Sequence, residues 1–188
     1  MEHIPYFPFD EAKAAQIAAH VISKNGGVFD HYDLAKFFYD LDREALNKWG
    51  QPVVGGTYRL FAFGPIIYEQ YRASAHGVQN FYSAFIQRSG NQLSVIRDPG
   101  DDDLSKAEIA LAEEVASRWG NLTFKQANDK IHSLPECGQG EKLNGDQIPI
   151  ELILAKCGKS EEEVHAIAQD VKAAFSLKST LENPSVGS

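Results

Sequence analysis

The sequence predicts an α+β fold that is mostly α-helical, with about six to seven helices and a small antiparallel sheet of two to three strands in the first half. Three observations carry this prediction. Apolar residues recur at helical spacing in several windows, five of these windows open on a side chain suited to capping, and the clearest β-rich segments are short and lie between residues 57 and 97.

Taken in order, Asp10 caps a helix over 11–24, in which Ala14, Ile17, Ala18 and Val21 follow an i, i+3, i+4, i+7 pattern and Gly26 is the stop. Asp30, three residues before Asp33, opens a second helix. Its face is Leu34, Phe37, Phe38, Leu41, Ala45 and Trp49, and Gly50 ends it. QPVVGG then breaks the period, and TYRLFAF has the β-branched and aromatic bias of a strand, closed by Gly64-Pro65. Proline suits the first turn of a helix, so a short helix is expected from Pro65 to about Ala73. FYSAFIQ and QLSVIR flank RSGN as a β-hairpin, and these strand segments are expected to share one sheet.

RDPGDDD, residues 97–103, is a polar connection between two halves of one domain. Ser105 with Glu108 opens a helix carrying Ala107, Leu111, Val115 and Trp119 to Gly120, and Thr123 with Gln126 opens a short one through His132, before Pro135. SLPECGQGEKLNGDQ reads as a loop. IPIELILAK reads as a helix entered at Pro149. Ser160 with Glu163 caps a last helix with a stripe of Val164, Ile167, Ala168, Val171 and Phe175. A single domain is expected over 1–178, with 179–188 a disordered tail.

The chain has 188 residues, 43% hydrophobic and 11% aromatic, with a net charge of −8. That length buries a real core, and the composition is not that of a disordered chain. No apolar run approaches the roughly 20 residues of a membrane helix, and MEHIPYFPFDEAK has acids and prolines where a secretion signal needs a basic end and an apolar stretch. The expected location is the cytoplasm, with Cys137 and Cys157 as thiols.

Charge is unevenly spread. Residues 1–94 carry 8 basic and 9 acidic side chains, whereas residues 95–188 carry 10 basic and 17 acidic. Residues 51–97 hold four Arg, no Lys and a single acid, Glu69, together with 8 of the 20 aromatic residues. Arginine and aromatic residues without lysine is the composition of protein-interface hot spots.

Other chemistries fail on spacing. GKS at 158–160 lacks the glycine five residues earlier that a phosphate loop needs, since position 153 is Ile. His132 and Cys137 lack partners for a structural zinc, and a calcium loop counted from Asp98 meets Ile109 where it needs Glu. No GxSxG or HExxH is present, and no metal or cofactor is expected. A winged-helix order and an apparent helix-turn-helix near the end keep a DNA-binding regulator as the alternative. The overall acidity and the run Glu161–Glu163 weigh against phosphate contact, so nucleic acid is the weaker partner.

Two stretches resemble a known family. LAKFFYDLDREALNKWGQPVVGGTYRLFAFGPIIYEQYR, residues 34–72, is similar to the SocA-like antitoxin family, or Panacea domain, in its L-x-K-x-x-Y helix, small-residue turn, aromatic strand, Gly-Pro-Ile and Tyr-bearing helix. LSKAEIALAEEVASRWGNLTFKQANDKIHSLPE, residues 104–136, looks like the family's later signature. Departures are Phe61-Ala62 in place of Trp-Pro, and Glu136-Cys137 where a Trp is usual. The resemblance implies a bacterial or phage-derived antitoxin that binds the toxin encoded by a neighbouring gene, without enzymatic activity. Some family members are phage-associated with no known toxin. The partner-binding candidates are Tyr58, Arg59, Phe61, Phe63, Tyr68, Tyr71 and Arg72, and self-association stays open. Strand alternation puts Tyr58, Leu60 and Ala62 opposite Arg59, Phe61 and Phe63, so one set faces inward.

Overall fold

The computed structural model describes residues 6–119, 122–138 and 145–182, with side chains through Ala173. Among them are seven α-helices and two small three-stranded antiparallel sheets.

Helix α1, Glu11–Lys24, begins at Asp10, whose carboxylate accepts the Lys13 N–H at 3.0 Å. Its buried face is largely alanine with Ile17, Val21 and Ile22, which lets neighbouring elements approach closely. Strand β1, Val28–Asp30, runs directly into α2, His31–Trp49, and Asp30 caps that helix by accepting from Tyr32 and Asp33 N–H at 2.8 and 3.2 Å. Gly50 ends α2 in the left-handed conformation that glycine adopts without a Cβ penalty. Leu34, Phe37, Phe38, Leu41 and Ala45 are buried as expected, each large side chain contributing about 1.5–3 kcal/mol. Trp49, placed on the same stripe by its spacing, is instead 44% exposed at the last turn.

The strand expected over TYRLFAF is β2, Tyr58–Phe61, and it does not lead into a helix at Pro65. The chain turns at Ala62-Phe63 and returns as β3, Gly64–Ile67, with Leu60 opposite Pro65 and Arg59 opposite Ile66. Pro65 is tolerated because β3 is an edge strand, where the missing N–H leaves no ladder bond unmade. Helix α3, Tyr68–Ala73, starts only after Ile67. The other hairpin is β4, Ile86–Ser89, with β5, Gln92–Val95, turning at Gly90; the first half of FYSAFIQ is a 3-10 turn, Tyr82–Ala84. The strand segments expected in one sheet divide between two, ordered β1-β5-β4 and β3-β2-β6. Strand β6, Asp146–Gln147, supplies the third strand of the second sheet from the far end of the chain.

Helices α4, Lys106–Ser117, and α5, Phe124–His132, both carry the complete reciprocal capping boxes predicted at Ser105/Glu108 and Thr123/Gln126. The Gly120 stop lies outside the described residues. Helix α6, Ile150–Lys156, buries Ile150, Ile153 and Leu154, and α7, Glu161–Glu182, opens with Ser160 and Glu163 bonding each other's backbone. Helix α7 thus includes the first residues of the expected tail, and 183–188 and the Phe175 side chain lie outside the described residues.

Helix α2 is the polar as well as the apolar centre. Asp42, fully buried, accepts from Val53, Val54 and Gly55 N–H at 2.8–3.0 Å and from the Tyr58 hydroxyl at 3.1 Å, holding the turn that leads into β2. Asp40 accepts from Trp119 Nε1 at 3.0 Å, with Lys130 beside it and over the Trp119 ring. Glu136, just after α5, accepts from Arg43 Nε at 2.6 Å and from the Tyr39 hydroxyl at 3.0 Å. One helix therefore ties the strands, α4 and α5 into a single unit. No helix of the described residues is long and apolar enough to cross a membrane.

Candidate functional site

Alternation along β2 decides which side chains are available. Tyr58 and Leu60 point inward. Tyr58 is only 1% exposed, which corrects its place among the binding candidates: the buried Asp42 carboxylate gives its hydroxyl a partner inside the core. Arg59 and Phe61 point outward, and Ile66, paired with Arg59, shares that face of the hairpin.

The remaining six candidates fall into two adjoining groups on the outer side of the hairpin and α3. In the first, Arg59 lies over the Tyr68 ring, with its guanidinium carbon 4.6 Å from the centroid, and Arg72 lies 5.8 Å away. Arg59 also donates to the Gly145 carbonyl at 3.3 Å, so it braces the segment before β6 as well as presenting charge. In the second, Phe61, Phe63 and Tyr71 line a groove of about 230 Å³ with Tyr32, Ala35, Lys36, Gly64 and Ile66. Phe63 is 53% exposed at the hairpin tip, and its ring is 6.1 Å from Tyr32 and 6.0 Å from Phe124, itself 52% exposed.

Three members of this face were not among the sequence candidates. Tyr32 and Lys36 are one helical turn apart on α2, off its apolar stripe, and Phe124 is an aromatic at the exposed first turn of α5, directly after its cap. An aromatic residue on the solvent side of a helix start is the signal that could have found Phe124. Tyr32 and Lys36 are brought in only by the packing of the hairpin on α2.

Gly64 makes that packing possible. Its φ is +108°, and a Cβ there would stand 2.4 Å from Ile131 Cγ2, so the hairpin lies directly on α5. His132 shares a hydrogen bond with the Ala62 carbonyl at 3.2 Å, fastening the same turn.

The family model described as antitoxin SocA-like, Panacea domain, matches residues 34–136, more than half of the chain. The chain belongs to the SocA-like antitoxin family. No curated protein and no solved structure matches it. The Panacea region starts on α2 and ends at Glu136, so the buried contacts from Tyr39 and Arg43 to Glu136 join its two ends. All seven candidates, with Lys36 and Phe124, lie inside it, and Tyr32 lies two residues before it. Glu136-Cys137 serves as a structural knot: Glu136 closes the ion pair, and burial pushes the Cys137 thiol up to about 12, away from nucleophilic use. The described residues hold no cluster of three or more His, Cys, Asp or Glu arranged to take a metal ion.

Proposed function

We propose that this chain neutralises a toxin encoded by a neighbouring gene through direct, non-enzymatic protein–protein binding, and that the face formed by the β2–β3 tip, the start of α2 and the start of α5 is where the toxin sits. Membership of an antitoxin family supports the role, and one observation carries the location. Two large aromatic side chains, Phe63 in the wall of an aromatic groove and Phe124 packed against it, stand half-exposed, and Arg59 pairs across the hairpin with Ile66 of the same wall. Contiguous exposed apolar surface rimmed by charge marks an interaction site.

Co-expression with the product of the adjacent reading frame tests it. Phe63→Ala and Phe124→Ala are expected to abolish protection while leaving the fold intact, since substitutions at half-exposed positions away from buried networks usually change stability by less than about 0.5 kcal/mol. Trp49→Ala, also exposed but at the opposite end of α2 from Tyr32, is expected to protect as wild type does. Full protection by both phenylalanine variants would place the toxin elsewhere.

A further inference from the structure

The groove is too small for a small-molecule site and about right for a single side chain. Its volume of about 230 Å³ falls below the 300–1,000 Å³ of drug-sized ligand pockets. Interface anchors, by contrast, are single bulky side chains seated in desolvated pockets.

Lys36 sets the chemistry beside that anchor. Among the described residues it is the one cation in the lining, and it is only 1% exposed. An ammonium carries three donors, yet among the described residues Lys36 makes one hydrogen bond, to Asp33 Oδ1 at the long distance of 3.5 Å, and otherwise lies 4.8 Å from the Phe124 ring centroid. Burial pulls its pKa down, while Asp33, and more distantly Asp30, pull it up. A buried charge with so little compensation is costly unless a partner completes its bonding.

The surrounding charge fixes the sign of that partner. Aromatic walls alone would suit a cation. Lys36 in the wall, with Arg59 and Arg72 on the adjoining part of the face, opposes one. In a chain of net charge −8, Arg59 and Arg72 beside the groove make this a local positive region that attracts an acidic segment. We infer that the groove receives a toxin segment bearing one large apolar side chain and, next to it, a carboxylate that pairs with Lys36. This rests on the reading of the face as the toxin-binding one.

The test uses probes that separate the two ideas. The isotope-labelled full chain is titrated by NMR with 3-phenylpropanoate, its neutral amide 3-phenylpropanamide, and 3-phenylpropylammonium. The expected result is shifts at Lys36, Phe63 and Tyr71, with the carboxylate bound at least about tenfold more tightly than the amide, as a hydrogen bond to a charged group warrants. Lys36→Gln is expected to remove the difference between carboxylate and amide. The wild-type comparison alone decides the matter should that variant fold poorly. Equal binding of carboxylate and amide, preference for the ammonium, or no shifts at the groove would overturn the inference. So would a dimer in sedimentation that Phe63→Ala dissolves, since the occupant would then be a second copy. If the probes fail while Phe63→Ala still loses protection against the toxin, the toxin-binding face stands and the carboxylate pocket falls.

Discussion

Asp42 and His31 show how single buried groups couple this fold to pH in opposite directions. Burial raises Asp42 to about 7 against four donated hydrogen bonds, so between about pH 4 and 7 the folded chain holds a proton that the unfolded chain has released, and stability falls as pH rises. His31 is buried with only Nδ1 engaged, by Ser74 at 3.2 Å, and burial, then Arg88 and His76, lower it to about 4. Between about pH 4 and 6.5 the unfolded histidine binds a proton that the folded one refuses, so this group makes stability rise with pH. Urea unfolding of wild type and His31→Gln across that range should give a stability difference, wild type minus variant, that grows with pH. A flat difference would contradict the neutral, buried assignment. Glu136 allows a larger effect. Glu136→Gln leaves the Arg43 guanidinium largely buried without its counter-ion, and a loss of about 3–5 kcal/mol is expected, measurable by the same method.

Among the elements, the β2–β3 hairpin matters most, because its tip carries Phe63 and its backbone presses on α5. Gly64→Ala forces a side chain into a positive φ and into Ile131, and should cost about 2–4 kcal/mol from strain and overpacking together, read as a shift of the unfolding midpoint. The helices were legible in the sequence because their signals are local. Asp10, Asp30, Ser105, Thr123 and Ser160 each cap the helix they precede, and the apolar periods of α1 and α2 run over enough residues to be read. The sheets were only partly legible. Strands of two to four residues show no period, and β1 and β6 owe their existence to partners more than 60 residues away in sequence, at β5 and β2. The same contrast holds for the candidate face. Clustering of Arg and aromatic residues marked the region, but the inward turn of Tyr58 depends on Asp42 of α2, and the recruitment of Tyr32, Lys36 and Phe124 depends on tertiary packing.

For the molecule as a whole, the Panacea region forms a unit closed by α2 and Glu136, on which α1, α6 and α7 add packing and β6 adds a strand. Among the described residues, those additions leave the groove side of the hairpin open. Binding at that face should depend on the aromatic anchors for affinity and on the flanking arginines for rate, so Arg72→Ala is expected to slow association and weaken its salt dependence more than it speeds dissociation. Stopped-flow association at two ionic strengths measures this. The most direct test of the central claim is the dissociation constant between the purified chain and the neighbouring gene's product, by calorimetry, for wild type and Phe63→Ala. Tight binding by wild type, weakened about 30-fold or more in the variant with an unchanged melting temperature, is the predicted result. Equal binding by the two proteins, or no binding by wild type, would contradict it.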